Sequence, residues 1–73
     1  MVKSIQTKEY AVFVQRLRKA RLEARLTQVQ VSKKLKRPQS HISNVESGQQ
    51  RVDVVELKAF SRIYGKDIGY FIK

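Results

Sequence analysis

The side chains best suited to recognition chemistry lie together in PQSHISNVES, residues 38–47, where Gln39, Ser40, Ser43 and Asn44 carry amides and hydroxyls at helical spacing. Gln and Asn present a donor and an acceptor side by side and can pair two hydrogen bonds with adenine, while a Ser hydroxyl serves several bases. Ile42 and Val45 are the apolar members of the stretch. At about 100° per residue, turning those two inward points Ser40, Asn44 and Ser47 outward, Ser43 partly so, and leaves Gln39 in the exposed first turn. Solvated surface helices also carry Gln and Ser, so the face alone does not decide its use. The surrounding cations add to it: Lys33, Lys34, Lys36 and Arg37 precede the stretch and Arg51 follows it, which is where phosphates would pass on either side. Gln28, opening the preceding helix, aims an amide and a helix N-terminus at the same backbone.

Other chemistries find little support. There is no Cys, and one His excludes the usual multi-ligand zinc arrangements. Of the six carboxylates, Asp53, Glu56 and Asp67 are expected at helix starts, while Glu9 and Glu23 lie on the basic outer face of the first helix. No convergent catalytic site emerges, so neither an enzyme nor a cofactor is expected.

Sixteen Lys and Arg against six Asp and Glu give a net charge of +10 on 73 residues. Polyanions are the natural partners, and charge alone does not choose among DNA, RNA and anionic lipid. No apolar run approaches the roughly 20 residues that span a bilayer, and MVKSIQTKEY lacks the apolar segment of a signal peptide. A cytoplasmic protein without a membrane partner is expected, forming one small domain over residues 1–73 with a thin core.

Five short helices must position these groups. Tyr10, Phe13, Val14, Leu17 and Ala20 recur at three- and four-residue steps over residues 7–24 and predict an amphipathic helix. Thr27 and Gln30 have capping-box spacing, so a second helix should run to about Leu35, burying Val31 and Leu35 beside Ser32. A third is expected to begin at Pro38 and stop at Gly48. Asp53 and Glu56 repeat the capping-box pattern before Val54, Leu57, Phe60, Ser61 and Tyr64, a face that ends at Gly65. Asp67 should cap a last helix with Ile68, Phe71 and Ile72 inward. The pattern is all-α. A membrane-surface role for residues 7–24 is the rival use of that helix, but four further amphipathic segments supply the partners a core needs.

Only Lys36 and Arg37 separate the second and third helices, a turn short enough to force a sharp angle, which is helix-turn-helix geometry. The run LTQVQVSKKLKRPQSHISNVESGQQRVDVVELKAFSRIYGKDI resembles the phage-repressor or Xre-type (lambda repressor-like) helix-turn-helix family. Leu26, Thr27 and Gln28, then Ile42 and Ser43, then Val45 to Gly48 carry the resemblance, which extends upstream through RLRKARLEARLTQ. It implies a compact five-helix domain with the helix-turn-helix at about 27–48. It implies a bacterial or phage-encoded transcriptional regulator, a repressor, that binds double-stranded operator DNA as a homodimer. Carried over by position, Gln39, Ser40 and Asn44 take base contacts and Ser43 a contact at the groove edge. Gln28 and His41 fall at backbone-contacting positions, joining Lys36, Arg37 and Arg51 as phosphate contacts. Arg21 and Glu46 fall where the family forms a structural ion pair.

The chain also departs from that family. Lys36 and Arg25 stand where Gly is usual, and both are expected to be left-handed at some energetic cost. Arg37 occupies a usually apolar turn position, from which its stem should cover the core and its head reach phosphate. Val52 replaces a common Pro and Val29 an exposed Glu. The competing reading is an antitoxin-like or adaptor protein using the fold chiefly to bind another protein, with Tyr10, Val29 and Tyr70 as loose apolar side chains. An adaptor would be expected to show an exposed apolar patch rather than this charge. RNA binding generally relies on exposed aromatics, and most of the six here are placed inward.

Overall fold

Thr7 ends its extended backbone by accepting a hydrogen bond at Oγ1 from the Tyr10 N–H, and the first helix, α1, runs from Lys8 to Glu23. The computed structural model describes residues 7–72; the N-terminal segment weighed as a signal peptide lies mostly outside them, as do the ends of the 1–73 domain. Four more helices follow: α2 at Gln28–Leu35, α3 at Gln39–Glu46, α4 at Val54–Tyr64 and α5 at Ile68–Ile72. The described residues are all-helical, and among them no helix is long and apolar enough to cross a membrane.

The boundaries follow from local chemistry. Thr27 and Gln30 form the reciprocal capping box at α2, with Gln30 N–H to Thr27 Oγ1 at 3.1 Å and Thr27 N–H to Gln30 Oε1 at 2.9 Å. Two helices end on left-handed residues that are not glycine, Arg25 after α1 at φ 61° and Lys36 after α2 at φ 62°. In that conformation the N–H groups of Leu26 and Arg37 turn back onto the carbonyls of Arg21 and Ser32, satisfying acceptors that a helix end leaves open. Pro38 is the cap of α3 rather than its first residue, and it has no side-chain acceptor to offer. Asp53 caps α4 through the Glu56 N–H at 2.8 Å, but the expected return bond from the Glu56 side chain is not made, because that carboxylate is taken up by His41. Asp67 accepts from the Gly69 N–H at the start of α5.

All five helices feed one core of Leu17, Ala20, Val31, Ile42, Val45, Leu57, Phe60, Tyr64 and Phe71. Ile42 is 0% and Val45 1% exposed, so the two apolar residues of α3 are fully spent on the interior. Burying each stabilises the domain by about 1.5–3 kcal/mol. Several residues expected inward sit differently, Phe13 and Ile68 being only partly buried. Leu35 is only partly buried, and Val54 and Ile72 are exposed. Periodicity places a residue on a face; Val54 and Ile72 are at helix ends, where the packed neighbours run out.

Candidate nucleic-acid interface

The outer face of α3 is built as an eight-residue helix pinned along its inner side. Gln39, Ser40, Ser43 and Asn44 are all exposed, and among the described residues no side-chain hydrogen bond engages any of the four. The Asn44 carbonyl accepts from Ser47 Oγ at 3.1 Å and from the N–H groups of Gln49 and Gln50 at 2.8 and 3.1 Å, which folds the following loop back against the helix end.

Glu46 anchors the C-terminal end. Arg21 Nε donates to its Oε2 at 2.6 Å and Nη2 to its Oε1 at 3.1 Å, a bidentate fork with both side chains at most 10% exposed. The third guanidinium nitrogen, Nη1, donates to the Leu26 carbonyl at 2.9 Å. One arginine of α1 thus ties together α3 and the loop before α2. Tyr64 packs in this region with its phenol pKa held above the ordinary tyrosine range, first by burial and then by the Glu46 carboxylate, while Arg21 opposes the shift.

Two residues expected at phosphates point elsewhere. Gln28 donates its amide Nε2 to Glu46 Oε1 at 3.1 Å, so its side chain braces α2 against α3. His41 is buried, 9% exposed, with Nε2 at 2.9 and 3.0 Å from the two oxygens of Glu56. It turns inward because α4 presents a carboxylate to that flank of α3, and a buried polar ring must find a partner. Arg37 keeps a half-exposed side chain, but its Nη1 lies on Glu56 Oε2 at 3.2 Å rather than in open solvent. Arg51 is exposed and rests its guanidinium over the Tyr10 ring, 4.3 Å from the centroid. Lys33, Lys34 and Lys36 are exposed.

Two participants were hidden in the sequence. Glu56 matched a capping box so well that its tertiary role had no separate signal, although the scarcity of acids in a +10 chain is reason to ask what each one meets. Tyr10 supports Arg51 by a cation–π contact, and its hydroxyl lies 3.5 Å from the Gln50 carbonyl.

A family model described as a helix-turn-helix domain matches residues 12–68, covering most of α1 and all of α2, α3 and α4. The chain belongs to the helix-turn-helix domain family. A comparison with curated proteins returns no match. In this helix-turn-helix protein the two helices of the motif are α2 and α3, joined by Lys36, Arg37 and Pro38. Such a motif sets its second helix in the major groove while its first crosses the phosphate backbone, which makes duplex DNA the partner this family membership points to. The helix-turn-helix pair is held from behind by Arg21 of α1 and Glu56 of α4, neither of which lies in the motif itself.

Proposed function

We propose that this protein binds a specific operator in double-stranded DNA as a homodimer, with α3 in the major groove, and acts as a transcriptional repressor inside a bacterial cell. One observation carries the reading: the outward face of α3 is polar, uncharged and uncommitted, while everything inward of it is fixed by Ile42, Val45 and the Arg21–Glu46 fork. Gln39, Ser40 and Asn44 contact bases, and Ser43 touches the groove edge. Lys36, Arg51 and the neighbouring lysines of α2 hold phosphates, which position the domain without reading sequence. Occupying an operator is sufficient to block a promoter, which makes repression the simplest regulatory outcome for a domain this small.

Selection of bound duplexes from a random pool tests the reading. A two-fold site with half-sites about one helical turn apart is expected. Asn44→Ala should then cost about 1–3 kcal/mol at one base pair and relax preference there. An equal loss on selected and random duplex would remove α3 from the groove. With roughly 4 phosphates per protomer, log affinity of the dimer should fall against log salt at a slope near −7.

An adaptor or antitoxin-like role has one observation in its favour. Val12, Val54 and Ile72 are exposed on a shallow groove between α1, α4 and α5. Salt-independent affinity for a protein, with no duplex selected, would favour that role over DNA binding.

A further inference from the structure

Glu56 stands where three parts of the fold meet: its own helix α4, the recognition helix α3, and the turn between α2 and α3. It accepts from His41 Nε2 at 2.9 and 3.0 Å and from Arg37 Nη1 at 3.2 Å. Arg37 Nη2 in turn lies 3.4 Å from His41 Nδ1. A carboxylate can only accept, so His41 Nε2 carries the hydrogen that Glu56 takes. Within the cluster Arg37 is the fixed cation that faces the Glu56 carboxylate. The three side chains differ in freedom. His41 and Glu56 are 9% and 12% exposed and held by the core, whereas Arg37 is 49% exposed and lies along one edge of the cluster.

Arg37 also lies two positions before Gln39, the first of the base-facing side chains, on the side of α3 where a duplex backbone would pass. Carboxylate and phosphate accept the same fork of N–H donors. We propose that Glu56 holds Arg37 in reserve for DNA. In the free protein the guanidinium sits on the carboxylate; on duplex DNA it transfers to a backbone phosphate, and Glu56 keeps its bond to His41 and with it the placement of α3. Glu56 is then a positioning residue for the recognition helix and an internal competitor for a phosphate contact. The competition is indifferent to base sequence. This inference rests on the DNA-binding reading above.

Glu56→Gln keeps an amide oxygen for the His41 Nε2 hydrogen but removes the charge that holds Arg37. Arg37→Gln keeps most of the stem and removes the fork. Affinity for a random-sequence duplex is measured across salt for the wild type, both single variants and the double variant, with folding checked by circular dichroism. Arg37→Gln should make the log–log salt slope shallower by about 0.9 per protomer. Glu56→Gln should tighten binding roughly two- to fivefold, the scale of a half-exposed ion pair, and most of that gain should vanish in the double variant. A gain that persists without Arg37 reflects added positive charge alone and overturns the proposal. So does a salt slope that Arg37→Gln leaves unchanged, a measurement that stands even if Glu56→Gln does not fold. Failure of the wild type to bind any duplex at low salt would overturn the DNA-binding reading and the transfer together; binding with a slope indifferent to Arg37 overturns the transfer alone.

Discussion

Glu46 receives hydrogen bonds from Arg21 of α1 and Gln28 of α2, so one carboxylate fixes the end of α3 against both neighbouring helices. Removing Arg21 would leave that carboxylate, 6% exposed, with one neutral donor. Arg21→Ala is therefore expected to destabilise the domain by about 3–5 kcal/mol, most of it the cost of stranding a buried charge. Arg21→Lys should recover only part, because an ammonium cannot reproduce the fork. Urea denaturation measures both, and a loss under about 1 kcal/mol for the alanine variant would show that the pair is solvated in the folded protein. This pair was legible through resemblance, since Arg21 and Glu46 stand 25 positions apart and no local spacing joins them. His41, Gln28 and Glu56 were not legible for the same reason. Each matched a sound local or family role, at a backbone contact, a helix start or a capping box, and its side chain also meets a partner distant in sequence that no local spacing announces.

The helices themselves were almost fully written in the sequence, because the residues that end a helix act on their own neighbours. Thr7, Thr27, Asp53 and Asp67 each accept a backbone N–H, and Gly65 closes α4 at φ 68°. Thr27→Ala removes the hydroxyl that accepts the Gln30 N–H, while the backbone N–H at position 27 can still donate to Gln30 Oε1, and should lower stability by about 1 kcal/mol. Thermal unfolding measures it, and Thr27→Ser should restore the midpoint by returning the acceptor oxygen. The recognition helix is the exception to this local logic. Eight residues behind a proline with no side-chain cap make a helix that is marginal in isolation, and its order comes from Ile42 and Val45 beneath, Glu46 at one end and His41 near the other. Which side chains such a helix shows to solvent could be read from periodicity. What grips it from behind depended on how α1 and α4 fold over it, and that was not readable from spacing.

Across the described residues, Glu46 and Glu56 are largely withdrawn from solvent, while Glu9, Glu23, Asp53 and Asp67 stay exposed. The first two are turned inward onto Arg21 and His41, Glu23 is paired with Lys66 at 2.8 Å and Arg37 lies on Glu56, while Lys33, Lys34 and Lys36 on α2 and its turn face solvent. A small domain at +10 carries self-repulsion as the counterpart of its attraction to a polyanion. The turn residue Lys36 concentrates that tension, being exposed and left-handed at φ 62°. A left-handed residue with a Cβ carries a penalty of roughly 1–2 kcal/mol, while glycine forfeits about 0.5–1 kcal/mol to the freedom of its unfolded chain. Lys36→Gly should therefore raise the thermal midpoint slightly and at the same time loosen the grip on every duplex. A higher midpoint with undiminished affinity would mean that Lys36 meets no phosphate. The joint between the two motif helices is thus a position where breeding the protein for heat tolerance and breeding it for tight DNA binding would drive the same codon in opposite directions.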